Sequence, residues 1–299
     1  MTSLRKISFI ITSRDEAPEV LNTTIENILS TVGAHAFELI VIDDGSRAPV
    51  GSLHPCVQLW RNASPLGVSP SRAKGAALST GDVLVWLDAH MRLAPDWLEK
   101  MLAHVDSGAL LCSAFWDYDM EVCHCWGADY VWCGERDYGM QRYPGFGLRH
   151  RVSEPTEPAV DVPMVIGACY MIGREAYGTL GGFSPLFRVW GIDEQDVSAR
   201  AWINGLGVKC VTGARVGHLC RPSFPYAVDF DHLEFNQLVM IRSTFEGATI
   251  ERLERAFEPV PATVQEWLAG TDVAAWRAGV QSGRVLTDKE FFALLSVPV

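Results

Sequence analysis

Short apolar runs alternate with helical patterns along the first hundred residues of this chain. Residues 7–11 form one run, apolar residues between Val20 and Leu29 then recur at helical spacing, and residues 39–42 begin a second run. Such runs are typical of strands buried on both faces, whereas a three- and four-residue spacing is typical of an amphipathic helix. The order strand, helix, strand predicts a βαβ unit with parallel strands.

The same alternation continues beyond this unit. Residues 57–60 and 83–87 are two further strand-like runs, a helix is predicted through residues 72–78, and Pro95 opens another helix with one apolar face. Strands that alternate with helices predict an α/β fold in which a mostly parallel sheet is covered by helices on both faces.

The second half of the chain is less regular. Residues 117–160 are rich in aromatic residues, glycine and proline, which predicts a long excursion of the kind that lines a substrate cleft. Strands are predicted at 164–172 and 208–211, with a helix through Val197 and Trp202 between them. The last fifty residues predict a mainly helical segment.

Charge and cysteine content exclude some classes of function. The chain has 25 basic and 36 acidic residues, which gives a formal charge of −11, so we expect no electrostatic binding to nucleic acid. No apolar run approaches the roughly 18 to 20 residues of a transmembrane helix. Eight cysteines without a recognisable secretory signal are more typical of reduced thiols than of disulfides. We therefore expect a cytoplasmic protein without a transmembrane segment.

Polar clusters follow two of the predicted strands directly. Asp43 and Asp44 come after the run 39–42, and Asp88 and His90 come after the run 83–87. Ligands of open parallel sheets bind beyond the carboxyl ends of the strands, so both clusters are expected at one edge of the sheet. For Asp43 and Asp44, which precede a glycine, ordinary turn chemistry is the alternative interpretation.

Asp88 and His90 also have the spacing of a metal site. Two residues that are two positions apart on an extended chain point to the same side and can share a divalent cation. His218, at the end of the strand-like run from Val208, would complete the set. One carboxylate with two imidazoles suits Mn²⁺ better than Ca²⁺, which prefers oxygen ligands, so we predict Mn²⁺, with Mg²⁺ as the alternative.

A third acidic cluster, Asp193, Glu194 and Asp196, opens the predicted helix that contains Val197. Acids in the first turn of a helix can simply complement the helix dipole. A carboxylate at a cleft can instead act as the general base for a hydroxyl acceptor, if its neighbours tune its pKa. Both interpretations stay open from the residues alone.

Several segments, taken in their order and approximate spacing, carry a resemblance to a known family. They are Thr12-x-x-x-Glu16-Ala17, Val41-Ile42-Asp43-Asp44-Gly45-Ser46, Ser71-Arg72-x-x-Gly75-Ala76, Leu87-Asp88-x-His90, Gly181-Gly182-Phe183, Trp190-Gly191 and Val216-Gly217-His218. This set resembles nucleotide-sugar glycosyltransferases with the GT-A fold, and most of all the catalytic domain of polypeptide N-acetylgalactosaminyltransferases. The resemblance covers about residues 5–226, so it implies a GT-A (Rossmann-like) catalytic domain over 1–226. The helical pattern that follows predicts a helical appendage over 227–299 packed on this domain.

The resemblance implies a role for individual residues in binding a UDP-sugar donor. Thr12 and Asp44 would contact the uracil, and Arg72 would lie beside the nucleotide. Asp88, His90 and His218 would hold Mn²⁺ on the diphosphate. Trp190 would flank the sugar, and Arg221 would meet a phosphate.

One segment departs from the closest family pattern. Where the polypeptide N-acetylgalactosaminyltransferases have Trp-Gly-Gly-Glu-Asn, this chain has Trp190-Gly191-Ile192-Asp193-Glu194. An acid at the last position resembles the Trp-Gly-x-Glu-Asp segment of inverting β-galactosyltransferases and chondroitin polymerases, in which the second acid is the catalytic base. We recognise neither the membrane anchor nor the lectin domain of the closest family, so a Golgi-like location and a mucin-type acceptor are not expected.

These observations predict a metal-dependent glycosyltransferase that moves a sugar from a UDP-sugar to a hydroxyl, or another nucleophile, of a peptide, glycan or small molecule. We favour inversion, with Glu194 as the base and Asp193 beside it in the catalytic pair. Retaining transfer and a non-catalytic nucleotide-sugar-binding module are the alternatives. A nucleotidyltransferase is disfavoured because no glycine-rich phosphate loop lies near the N-terminus.

Overall fold

The fold is built on one large sheet. The structure is a computed structural model, and it describes residues 4–134, 144–166, 168–221 and 226–297. Within those residues a ten-stranded sheet and a two-stranded sheet are present. The strands are β1 (Lys6–Ser13), β2 (Ala36–Asp43), β3 (Val57–Arg61), β4 (Val83–Asp88), β5 (Met91–Leu93), β6 (Leu110–Asp117), β7 (Cys123–Cys125), β8 (Ala128–Cys133), β9 (Gly145–His150), β10 (Ala159–Asp161), β11 (Cys169–Gly173) and β12 (Val208–His218).

The order of the strands in the large sheet is β10-β12-β6-β11-β4-β1-β2-β3, with β5 added to β12 and β7 added to β6. The block β3-β2-β1-β4 is entirely parallel, and in it Ile10 of β1 lies beside Ile40 and Trp86. Within the described residues, four of the seven pairings along the main path are parallel. The predicted α/β fold with a mostly parallel sheet is confirmed.

Helices cover both faces of this sheet, as predicted. Alternate residues of β1 point to opposite faces, so Phe9 and Ile11 pack against α1 and α3, whereas Ile10 packs against α2. Gly75 lets α2 lie close to the sheet, because a Cβ there would come within 2.3 Å of the Ile10 side chain. The helices are α1 (Pro18–Thr31), α2 (Val68–Leu78), α3 (Trp97–Leu102), α4 (Arg174–Leu180), α5 (Asp193–Ile203), α6 (Phe230–Thr244), α7 (Gly247–Glu254), α8 (Ala262–Ala269), α9 (Val273–Ser282) and α10 (Asp288–Leu294).

The less regular second half differs from the prediction in detail. The strand predicted over residues 164–172 is shorter and is β11. Met164 leaves the sheet, because its backbone N–H and C=O bond to Ala128 of β8. The excursion over residues 117–160 contains four short strands, β7 to β10, and its part 135–143 lies outside the described residues.

The C-terminal helices share a core with the body of the protein. Phe235 of α6 and Phe291 of α10 pack in one apolar cluster with Ile203 of α5, Tyr130 of β8 and Phe146 of β9. The division at residue 226 stays a prediction. No helix in the described part of the chain is long and apolar enough to span a bilayer, and no disulfide joins the eight cysteines there.

Candidate active site

A cavity of about 490 Å³ opens beyond the carboxyl ends of β1, β2, β4 and β12, where the first turn of α5 closes one side. Parallel strands bring their carboxyl ends to one edge, which is why residues far apart in sequence meet there. Every site residue predicted from the sequence lines this cavity. They are Thr12, Asp44, Arg72, Asp88, His90, Trp190, Asp193, Glu194, His218 and Arg221.

Asp88, His90 and His218 form one cluster in the cavity. Asp88 ends β4 and His218 ends β12, and the N–H of Leu219 donates to the backbone oxygen of His90 at 3.1 Å. The three residues can each offer one ligand atom within 4.8 Å of the others. Nε2 of His218 lies 3.1 Å from Nε2 of His90 and 3.4 Å from Oδ2 of Asp88.

The chemistry of this cluster fits a first-row divalent cation. Burial by itself opposes ionisation of Asp88, but the hydrogen bond from His218 and the charge of Arg72 hold the pKa of Asp88 well below its ordinary value. One carboxylate and two imidazoles are a mixed oxygen and nitrogen set of the kind that binds Mn²⁺. The predicted trio is therefore brought together in a form that can hold such an ion.

Arg72 lies beneath this cluster on α2 and is buried. Its guanidinium donates to Asp88 at 3.0 Å and also to Asp193, and it stacks 4.9 Å from the ring centre of Tyr170. Burial alone would lower the pKa of Arg72, but the facing carboxylate of Asp193 raises it above its ordinary value. The side chain predicted to lie beside the nucleotide is thus held by two carboxylates at the wall of the cavity.

Asp44 is buried at the end of β2 and organises the segment that precedes α2. Its Oδ1 accepts hydrogen bonds from the side chains of Asn62 and Ser71 and from the N–H of Leu66. Its Oδ2 accepts from the N–H of Gly67 at 2.9 Å. After these four bonds, Oδ2 can still accept one more hydrogen bond. The contact of Asp44 with uracil stays a prediction, and Oδ2 is the oxygen that could make it.

Glu194 and Asp193 occupy the first turn of α5 in different ways. Asp193 is buried against Arg72, whereas Glu194 is partly exposed and accepts a 2.5 Å hydrogen bond from the hydroxyl of Tyr170. Burial, assisted by the charge of Asp193, raises the pKa of Glu194 to about 8. A carboxylate with such a pKa can take up a proton near neutral pH.

The segment before α5 holds unusual backbone conformations. Val189 and Ile192 have φ angles of 53° and 73°, which β-branched residues rarely adopt. They flank Trp190, a residue that is 37% exposed and lines the cavity. This backbone fixes the direction from which Trp190 and α5 approach the cavity.

Comparisons with known proteins identify the family of this chain. Residues 8–180 match the profile of the family described as "Glycosyl transferase family 2", which is more than half of the chain. The chain belongs to this glycosyltransferase family. Residues 148–222, which include the first turn of α5, also match a profile described as "N-terminal domain of galactosyltransferase".

The proteins that are similar to this glycosyltransferase in sequence confirm the predicted resemblance. Human polypeptide N-acetylgalactosaminyltransferase 14 is 29% identical over 237 residues, which cover 75% of this chain and 42% of the relative. Human polypeptide N-acetylgalactosaminyltransferase 16 is 27% identical over 273 residues, which cover 83% and 46%. The chain thus spans less than half of the length of these two relatives.

A solved structure shows the fold. The crystal structure of GalNAc-T7 with UDP, GalNAc and Mn²⁺ superimposes with a TM-score of 0.69 at 18% identity, and the match covers 98% of this chain and 57% of that chain. The predicted GT-A fold is confirmed by this likeness.

Among the residues of the glycosyltransferase cavity that had no predicted role are Glu16, Arg14 and Tyr226. Glu16 follows β1 and contacts His90 and Arg221, and these hydrogen bonds, opposed by burial, lower the pKa of Glu16 to about 2. The guanidinium of Arg14 lies 4.5 Å from the ring centre of Tyr226. Glu16 and Arg14 follow a strand at the same sheet edge as Asp44 and Asp88, and that position is the signal that could have found them.

Proposed function

We propose that this glycosyltransferase moves a sugar from a UDP-sugar to a hydroxyl of an acceptor, with a divalent cation, Mn²⁺ or Mg²⁺, as its cofactor. One observation carries the proposal. The cluster of Asp88, His90 and His218 lies in the same cavity as the carboxylate of Glu194. A site for an anionic leaving group and a site for a base are therefore present side by side.

Asp88, His90 and His218 would hold the cation. When bound, it neutralises the charge that the departing diphosphate gains. Arg221, which follows β12 closely, would donate to a phosphate oxygen and add to that neutralisation. Thr12 and Asp44, at the ends of β1 and β2, would contact the uracil, and the exposed face of Trp190 would pack on the sugar.

Glu194 would take the proton of the acceptor hydroxyl. Asp193 is occupied by Arg72, so its part in the reaction would be to hold the first turn of α5 in place rather than to accept a proton. Glu194 has the hydroxyl of Tyr170 to stabilise its ionised form and a pKa raised to about 8. A base on the face opposite the leaving group favours inversion of the anomeric centre.

Retaining transfer is the second candidate, because it is the alternative that the resemblance to polypeptide N-acetylgalactosaminyltransferases implies. Because the relatives are named as polypeptide N-acetylgalactosaminyltransferases, a peptide is the first acceptor to test, before glycans and small molecules. A cytoplasmic location stays a prediction from the cysteine pattern of the sequence.

One experiment tests the donor, the metal and the stereochemistry. The protein is incubated with a panel of UDP-sugars and Mn²⁺, with and without EDTA, and release of UDP is measured with peptide, glycan or water as acceptor. The anomeric proton coupling of the product is then read by NMR. Release of UDP that EDTA abolishes supports the proposal, and a β-linked product from an α-linked donor supports Glu194 as the base. No release with any UDP-sugar contradicts the proposed donor class.

A further inference from the structure

We infer that Glu16 is a positioning residue that orients His90 toward the cation site and fixes Arg221 beside it. The inference rests on the proposed function, because it concerns the residues proposed to hold the cation and a phosphate. It adds a residue from a third strand end, that of β1, to a site proposed on the ends of β4 and β12.

The contacts of Glu16 use both of its carboxylate oxygens. Oε2 lies 2.8 Å from Nδ1 of His90. Oε1 accepts hydrogen bonds from Nη2 of Arg221 at 2.6 Å and from the N–H of Ala17 at 2.9 Å. The side chain is 5% exposed, so the protein rather than water supplies these partners.

The contact with His90 determines which imidazole nitrogen carries the proton. A carboxylate that is paired with a guanidinium only accepts hydrogen bonds, so Nδ1 of His90 must be the donor. Nε2, which lies 3.1 Å from Nε2 of His218, is then left with its lone pair toward the cluster. A carboxylate that holds the far nitrogen of a ligating histidine fixes the tautomer and the ring orientation in this way.

The contact with Arg221 leaves most of the guanidinium free to meet an anion. A guanidinium has five N–H donors in a planar fork, and the bond to Glu16 uses one of them. The bond to Glu16 already orders the side chain of Arg221. Binding of an anion to its other N–H donors would therefore cost less side-chain entropy. One carboxylate would thus prepare both a cation ligand and a phosphate ligand.

The test measures the tautomer and the binding of the metal alone, not only activity. Glu16→Ala, Glu16→Gln and the control Glu38→Gln are compared with the wild type. Glu38 is a suitable control because its carboxylate also anchors backbone and side chains, those of Ser8, Thr80 and Gly81, but does not line the cavity. Nitrogen NMR of ¹⁵N-histidine protein without metal reports the tautomer of His90, assigned with His90→Asn. Titration with MnCl₂, followed by electron paramagnetic resonance, gives the affinity for the ion.

The wild type is expected to show the Nδ1–H tautomer of His90. Glu16→Ala is expected to lose this tautomer and to bind Mn²⁺ about 10- to 100-fold more weakly. Glu16→Gln can still accept from Nδ1 but places an amide N–H₂ against Arg221, so we expect a smaller loss of Mn²⁺ affinity and a weaker affinity for UDP. Glu38→Gln is expected to change none of these values more than twofold.

A tautomer of His90 that does not change in Glu16→Ala, or an Mn²⁺ affinity within twofold of the wild type, would overturn the inference. If Glu16→Ala does not fold, Glu16→Asp keeps the charge but shortens the reach to His90, and the same shift of the tautomer is expected. If the wild type itself does not bind Mn²⁺, the metal part of the proposed function fails. The tautomer in the metal-free protein still decides whether Glu16 orients His90.

Discussion

The guanidinium of Arg72 donates a hydrogen bond of 3.0 Å to the carboxylate of Asp88. It joins the end of β4 to the helix that follows β3, and through a second contact it reaches Asp193 on α5. Two consecutive elements, α2 and β4, are therefore joined to the distant helix α5 at one point. The hydrogen bond from His218 and the charge of Arg72 keep Asp88 ionised. Asp193 is paired with Arg72, whereas Glu194, the next residue, accepts its hydrogen bond from Tyr170 instead.

Loss of Arg72 is expected to destabilise the fold. In Arg72→Met, Asp193 would be buried without its cation, and breaking a buried pair in this way costs about 3 to 5 kcal/mol. Arg92→Met is the matched control, because Arg92 pairs with Asp119 at the surface and such pairs contribute about 0 to 1 kcal/mol. Urea denaturation measures the free energy of unfolding of both variants. Equal losses of unfolding free energy in the two variants would show that the buried pair stabilises the fold no more than the surface pair.

Removal of a cation ligand is expected to abolish turnover but not folding. Asp88→Ala or His218→Ala would remove one of the three ligand atoms that lie within 4.8 Å of each other. The charge of the departing diphosphate would then be poorly stabilised in the transition state. UDP release and circular dichroism measure the two effects, and full activity of the dialysed wild type in EDTA would contradict the assignment of these ligands.

The raised pKa of Glu194 predicts a dependence of stability on pH. Its pKa rises from 4.5 to about 8 on folding, so the folded state favours the protonated acid. The stability that this preference contributes is complete below pH 4.5 and is lost as the pH rises through 8. Compared with Glu194→Gln, the wild type should therefore lose free energy of unfolding between pH 5 and 9. A constant difference between the two proteins over this interval would show that the pKa is not raised.

The same residue predicts a change in rate. If Glu194 is the base, kcat of the wild type should rise with pH through about 8, because the ionised form accepts the proton. Glu194→Gln should lower kcat by about 10² to 10⁴ with unchanged donor affinity. Pre-steady-state assays and calorimetry with UDP separate the two quantities. An α-linked product from an α-linked donor would refute inversion while leaving the transfer reaction intact.

Asp44→Asn is expected to weaken both the fold and the affinity for UDP. The carboxylate accepts four hydrogen bonds, from Asn62, Leu66, Gly67 and Ser71, and an amide would turn one acceptor into a donor facing a donor. Each effect should be about 1 to 3 kcal/mol. Calorimetry with UDP and GDP checks the second effect, since equal affinity of the wild type for both nucleotides would contradict recognition of uracil.

Much of the fold follows from local patterns in the sequence. The apolar runs at 7–11, 39–42 and 83–87 cannot be placed at a surface, so they become central strands, and the acids that follow them must lie at one edge of the sheet. The spacing of Asp88 and His90 likewise follows from an extended backbone. These features depend on neighbours in the chain, and the sequence shows them directly.

The partners of the site side chains depend on contacts that no local pattern encodes. His218 lies 128 residues from His90, and Arg72 lies 121 residues from Asp193, yet each pair is in contact. The sequence predicted both Asp44 and Arg72 as residues that bind the UDP-sugar. In the tertiary structure, however, Asp44 accepts four hydrogen bonds from the protein itself and Arg72 donates two. Glu16 had no predicted role because its partners, His90 and Arg221, come from two other strand ends. Only the packing of the sheet brings those ends together. Tertiary packing also decides that Asp193 pairs with Arg72, whereas the adjacent Glu194 accepts a hydrogen bond from Tyr170.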